Sequence, residues 1–288
     1  MIKKIHQIWF QGERNAPQNL QGFSRKWKTL NPSYQHKVWE KTAMDAFISK
    51  HYPNYYSRYR ELPHMIQKID FFKYAVLNIE GGFYIDMDVE CLLPLELPDK
   101  YITSDFSPST APFYKYENLL LSGQKDLYNN AVIYSRKNSP ILKKLINRSF
   151  LYNCKNKNKT QCVFMTTGPL IYSKIINKYR NKLNVVDFPS SYFEPVWTPK
   201  YNKIDTYLNR FNKKQIGKHH FNSDWVDVYW VETIVIYLNY IYIYLRYIIP
   251  ITIIILMYYN PKRIAIFSLM YLSISMAINI YLKQILGI

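Results

Sequence analysis

The chain has 288 residues, enough for one large domain or one domain with an appendage. Hydrophobic residues make up 48%, which excludes wholesale disorder, and three cysteines are too few for a disulfide scaffold. The net charge is +18; residues 226–288 hold only four basic and two acidic side chains, so +16 of it belongs to residues 1–225. No zinc-ligand cluster, basic helix or aromatic RNA-binding signature accompanies that charge, so no nucleic-acid partner is expected. A phosphate-bearing substrate, an anionic membrane surface and a diffusely solvated basic face all stay open.

In chain order, the opening MIKKIHQIWFQG is too short and too interrupted for a signal peptide. Ile5, Ile8, Trp9 and Phe10 read as a first buried strand ended by Gly12. A mixed stretch containing Trp27 leads to a turn at Asn31-Pro32 and a second strand over Tyr34 to Trp39. Thr42 to Lys50 is expected to be helical, with Pro53 closing it. From Met65 to Glu80, apolar Ile66, Ile69, Phe72, Ala75, Val76 and Ile79 recur at helical spacing, while Asp70, Lys73 and Leu77 fall on another face. Gly81-Gly82 should stop this helix and feed a short strand, Phe83 to Ile85, that ends at Asp86. Further strands are expected at Ala131–Tyr134 and Val185–Phe188, helices at Ile141–Asn153 and Pro169–Tyr179, and an exposed loop over Asn153 to Gln161.

The composition changes after Trp225. Residues 241–259 carry one charge, Arg246, and residues 264–282 carry none, with Asn260-Pro261-Lys262-Arg263 between them. A bilayer core needs about 20 apolar residues per helix, so this pattern predicts a membrane hairpin, with buried or surface-lying helices as the alternative. The expected organisation is a catalytic domain over residues 1–225 and a membrane-associated hairpin over 226–288. Two sequons, at Asn147 and Asn158, would be usable only if the domain faces a lumen.

The chemistry centres on Asp86-Met87-Asp88. Two carboxylates two residues apart at a strand end can share one hard cation, Mg²⁺ or Mn²⁺, that leaves positions open for the phosphates of a nucleotide. The carboxyl ends of strands are where open α/β sheets bind ligands. A triplet of this kind is frequent by chance, so its surroundings decide its weight.

Those surroundings run from Asp70, Lys73 and Leu77 through Gly81-Gly82, Tyr84, Asp86, Asp88 and Glu90. The string resembles the DXD-containing GT-A sugar transferases, the family of initiating mannosyltransferases, inositol phosphorylceramide mannosyltransferases and capsular-sugar transferases. Lys73 stands where that family usually has Arg, keeping the charge and losing the bidentate fork. Ile5-His6-Gln7-Ile8-Trp9 resembles its opening strand beside the donor, and Trp27, Asn31-Pro32 and Trp39 follow at similar spacing. Asn129-Asn130-Ala131 and Ser135 resemble a sugar-pocket segment, and Thr167-Gly168-Pro169 a recurrent turn. His219-His220-Phe221-Asn222-Ser223-Asp224-Trp225 resembles its closing segment, with Phe221 for Trp and Asp224 inserted.

The resemblance implies an α/β, GT-A (Rossmann-like) fold with the C-terminal hydrophobic hairpin appended. It implies a retaining, metal-dependent glycosyltransferase using Mn²⁺ or Mg²⁺, a nucleotide-sugar donor and a glycan or glycolipid acceptor, mannose being the leading sugar. Asp70, Lys73, Asp86 and Asp88 would be catalytic, with Lys73 either neutralising phosphate or orienting Asp70. Asp86, Asp88 and His219 would hold the metal, His220 being the alternative histidine. His6, Gln7, Trp9, Tyr84, Asn130, Gly168, His220 and Trp225 would line the donor site. Two other readings use the same residues: a metal-dependent phosphotransferase or nuclease, for which Glu90 would be the third acid, and an inactive membrane-bound scaffold.

Overall fold

The computed structural model describes residues 2–110, 126–155, 157–193 and 215–220. Trp225, the domain boundary after it and the two apolar segments of the expected hairpin lie outside the described residues. Among the described residues, no helix is long and apolar enough to cross a membrane.

A five-stranded mixed sheet forms the centre, in the order β2 (Gln35–Trp39), β1 (Lys4–Ile8), β3 (Gly82–Ile85), β6 (Tyr128–Ser135), β5 (Phe106–Thr110). β1 pairs in parallel with β2 and β3, while β6 runs antiparallel to both β3 and β5. β1 is buried from Ile5 to Ile8, as expected of a strand with neighbours on both sides. A second, two-stranded ribbon pairs β4 (Val89–Cys91) with β7 (Gly217–His219).

Successive residues of β3 point to opposite faces, so Tyr84 joins one core while Phe83 and Ile85 join the other. The Tyr84 face is covered by α2 (Lys41–His51), α4 (Met65–Glu80), α6 (Pro140–Arg148) and α8 (Pro169–Tyr179). The other face is closed by Trp27 from α1 (Gln18–Leu30), by Val89 and Cys91 of β4, and by Phe188 and Phe193.

The expected helix over Met65–Glu80 forms with those bounds. It opens on a capping box in which the His64 amide donates to Gln67 Oε1. It stops where expected, at Gly81 (φ 66°) and Gly82 (φ 99°). A Cβ at Gly82 would lie 2.7 Å from Lys4 O, so glycine is required both for its φ and for the close approach of β1. The expected face is corrected, however. Ile66, Ile69 and Ile79 are only half-buried, whereas every residue from Asp70 to Asn78 is buried, because the helix is sandwiched between the sheet and other helices.

Other expectations shift. The mixed stretch before Asn31 is the 13-residue helix α1, with Leu20, Ser24 and Trp27 on its buried face. The helix expected over Thr42–Lys50 runs from Lys41 to His51 and does end before Pro53, which is also the first residue of α3 (Pro53–Arg60), where its missing N–H costs nothing. The helix expected over Ile141–Asn153 ends at Arg148. The loop expected to reach Gln161 is cut short by α7 (Lys159–Thr166), which Asn158 caps by accepting from the Gln161 amide at 2.8 Å. Cys154 in that loop is joined to Cys162 of α7 by a disulfide. Val185–Phe188 contributes only isolated bridges from Val185 to Phe106 and from Phe188 to Ser109. Two four-residue helices, α5 (Asp99–Ile102) and α9 (Ser190–Phe193), and two 3-10 turns, Glu13–Asn15 and Arg180–Lys182, complete the described elements.

Candidate active site

The acids sit where β3 runs out. The Asp86 amide still donates to Ala131 O at 2.8 Å, and the Val89 amide closes a turn onto Asp86 O at 3.1 Å. Met87 is buried against Ala16 and Leu20, with half-buried Trp9 beside them. That anchor turns the middle residue of the triplet inward and leaves the two carboxylates to one side. β7 then lies along β4 with His219 opposite Val89, and the His220 amide donates to Asp88 O.

This pairing brings His219 Nε2 to 3.3 Å from Asp88 Oδ1. One ligand atom each from Asp86, Asp88 and His219 fall within 4.8 Å of one another. Two carboxylate oxygens suit Mn²⁺ or Mg²⁺, and the imidazole nitrogen beside them favours Mn²⁺ of the two. Asn129, whose Oδ1 accepts from the Ala131 amide, sets its Nδ2 3.4 Å from the other ring nitrogen of His219 and so packs against the ring without accepting a proton from it. The Asp86 side chain keeps 29% exposure, enough to meet a ligand from solution.

Behind this rim lies a dry network. Lys73, 2% exposed, directs Nζ to Asp70 Oδ1 at 3.0 Å, Asp86 Oδ1 at 3.5 Å and Asn130 O at 3.4 Å, and stands over the Tyr84 ring. Asp70 Oδ1 also accepts from Asn130 Nδ2 at 3.0 Å, and Asp70 Oδ2 accepts from Thr167 Oγ1 at 3.2 Å. Tyr84 donates its hydroxyl to Asp86 Oδ1 at 2.6 Å. Asp70, Lys73, Tyr74 and Leu77 share one stripe of α4 by their spacing of three and four, which aims this stripe at the strand end. Burial works against the Lys73 ammonium, but Asp86 and Asp70 outweigh it and hold its pKa above the ordinary lysine value. Burial and then Asp86 hold the Tyr84 phenol well above its usual range, so it remains a donor.

The remaining expected site residues divide. Gln7 touches the site, with Nε2 3.4 Å from Asp86 O and Oε1 held by His36. Asn130 lies inside the dry network. His6 is placed apart, buried with Nε2 on Gly81 O and Nδ1 accepting from the Trp39 indole. Burial lowers its pKa to about 4, so it is neutral near pH 7. Trp9 packs beneath Met87 and does not join the acids. Gly168 caps α8, and the group from that turn that reaches Asp70 is the neighbouring Thr167 hydroxyl. His220 stacks on Phe23 and meets Glu90 at 3.1 Å, and Glu90 also pairs with Lys26 at 2.5 Å. Trp225 lies outside the described residues.

Sequence reasoning missed Tyr74 and undervalued Thr167 and Asn129. Tyr74 was within reach, being four residues after Asp70 on the same stripe; it donates to Thr167 O at 2.6 Å. Thr167 and Asn129 stand in segments that carry the family resemblance, but only tertiary packing brings them to Asp70 and His219.

Residues 17–107 match the family model described as a glycosyltransferase sugar-binding region containing the DXD motif. The match covers about a third of the chain and makes those residues similar to a DXD glycosyltransferase region. The match spans Asp70, Lys73, Asp86 and Asp88, and the enzyme class is that of the glycosyltransferases. An uncharacterized glycosyltransferase of Acanthamoeba polyphaga mimivirus is 28% identical over 228 residues, covering 75% of this chain and 83% of the viral protein. Inositol phosphoceramide mannosyltransferase 3 of Schizosaccharomyces pombe is 27% identical over 180 residues, covering 62% of this chain and 45% of the yeast protein. The chain thus spans less than half of that fungal relative. Among solved structures, the PaToxG glycosyltransferase aligns over 62% of this chain and 69% of its own, with a TM-score of 0.45 and 17% identity.

Proposed function

We propose that the DXD region is the catalytic centre of a metal-dependent, retaining glycosyltransferase of the GT-A type. It would transfer a sugar, mannose first among the candidates, from a nucleotide-sugar donor to a glycan or glycolipid held at a membrane. The observation that carries the reading is the convergence of Asp86, Asp88 and His219 at the end of β3. Mannose is favoured by the relatives named as mannosyltransferases. The membrane setting is favoured by the apolar segments 241–259 and 264–282.

Asp86, Asp88 and His219 would hold the divalent ion, which when bound offsets the charge that grows on a departing diphosphate. Lys73 and Asp70 act as positioning residues. Lys73 fixes Asp86 Oδ1 from behind, and Asp70, held by Thr167 and Asn130, fixes Lys73. Of the two roles open to Lys73, orientation is the better supported, because an ammonium 2% exposed with three acceptors around it is poorly placed to meet phosphate. Lysine suffices there, since the contacts fan out to separate groups and need no planar fork.

The phosphotransferase or nuclease reading is weakened by Glu90, which is engaged by Lys26 and His220 and does not join the Asp86–Asp88–His219 group. The test is a donor panel: the full chain in detergent with Mn²⁺ and each common nucleotide sugar, scored for release of nucleoside diphosphate. One donor turned over only with metal is the expected result. Phosphodiester cleavage without a sugar donor would overturn the reading in favour of the rival chemistry. Silence across the panel, with and without lipid and oligosaccharide acceptors, would favour the inactive scaffold.

A further inference from the structure

A second surface lies on the outer side of α1, away from the face that carries Leu20, Ser24 and Trp27. Arg25 and Thr29, four residues apart, are exposed on it, and Lys28, three residues after Arg25, is exposed on its flank beside the buried stripe. Leu30 at the helix end is 36% exposed, and Leu92 and Leu93, directly after β4, are 38% and 42% exposed. A groove of about 510 Å³ runs between them, lined among others by Gly22, Arg25, Lys26, Thr29, Leu30 and Leu92. Leu92 and Leu93 are not on a loose loop. Both amides donate to Ile216 O, at 2.8 and 3.2 Å, so the backbone holds the side chains outward.

Scattered exposed leucines need no explanation, but apolar tips beside unpaired cations on a rigid face do. Lys26 is neutralised by Glu90. Among the described residues, Arg25 and Lys28 make no ion pair. We propose that this α1–β4 face rests on an anionic lipid bilayer, with Leu30, Leu92 and Leu93 dipping into the interface and Arg25 and Lys28 meeting lipid phosphates. Charge complementarity selects that occupant: +16 on residues 1–225 attracts an anionic surface and repels a second copy of the same basic face. The chain also continues into two 19-residue apolar stretches, which calls for a lipid surface near it.

The face is joined to the candidate active site by side-chain contacts. Lys26 touches Glu90, Glu90 touches His220, and His220 follows His219 of the proposed metal group. A lipid-borne acceptor would therefore be delivered close to the acids. The docking claim itself does not depend on the proposed reaction, because its test reads lipid contact and not turnover.

The test places a nitroxide at Leu92→Cys or Leu93→Cys of the full chain in vesicles of phosphatidylserine and phosphatidylcholine, with Leu151→Cys as control. Leu151 is 63% exposed, Cys91 is buried, and Cys154 and Cys162 are paired, so the new thiol is the one that reacts. Labels at 92 and 93 are expected to collide with lipid-dissolved oxygen and be shielded from an aqueous nickel chelate, while the label at 151 stays aqueous. Arg25→Glu with Lys28→Glu should reduce the shielded fraction about tenfold or more, since each basic residue near an anionic surface is worth roughly a fivefold partition factor. Labels at 92 and 93 as water-accessible as at 151 would overturn the proposal. Equal shielding on pure phosphatidylcholine would overturn its electrostatic basis. Spin–spin broadening between labelled chains would assign the face to a second copy instead.

Discussion

The candidate site has two halves built on opposite principles. The half formed by Asp70, Lys73, Tyr74, Tyr84, Asn130 and Thr167 is dry, and each of its charged groups is met by several partners. The half formed by Asp86, Asp88 and His219 is open to solvent on one side, with Asp86 shared between the two. Buried charges are costly unless fully partnered, so the dry half is rigid, and its rigidity fixes where the open half presents its oxygens. Stability should therefore reside in one half and turnover in the other.

The sharpest way to break this division is Asp86→Asn with Asp88→Asn. We expect a loss of metal-dependent turnover of about 10³-fold or more, with an unchanged far-UV circular dichroism spectrum. Retained turnover would remove the open half from the chemistry. Lys73→Met tests the dry half. It strands two carboxylates, one wholly buried, and should destabilise the fold by about 3–5 kcal/mol, read from the denaturant midpoint. A shift under about 1 kcal/mol would show that the network is not structurally required.

A third test uses pH. The His6 pKa is lowered by burial from 6.5 to about 4, so between these values the unfolded chain takes up a proton that the folded chain refuses. His6 thus contributes full stability above about pH 6.5 that is lost as pH falls toward 4, about 3 kcal/mol at most. Thermal unfolding between pH 7 and 4.5 should show the slope in the native chain and less of it in His6→Asn. The smallest effect is expected of Thr167→Val, which removes one of several bonds to Asp70. It should cost about 1 kcal/mol and lower kcat modestly without changing metal affinity.

The same contrast governs what could be read from the sequence. The α4–β3 segment was legible because its signals are local: helical spacing, two glycines that only a left-handed turn requires, and acids at a strand end. α1 was overlooked although its signal is present: Leu20, Phe23, Trp27 and Leu30 recur at spacings of three and four, diluted by the polar residues between them. Pro53 carried two signals and only one was read, since it both follows the end of α2 and starts α3. The likeness to the DXD transferases located both halves, but not their wiring. That Lys73 faces inward, that Thr167 and not Gly168 reaches Asp70, and that Asn129 backs His219 are consequences of packing between residues 57 to 97 positions apart.

The division of labour is tested most directly by titrating Mn²⁺ into the full chain and following the free-ion electron paramagnetic resonance signal. The account predicts one site that is lost in Asp88→Asn and His219→Ala and retained in a folded Thr167→Val. Binding that survives both ligand substitutions, or that vanishes in Thr167→Val while the fold stays intact, would contradict it.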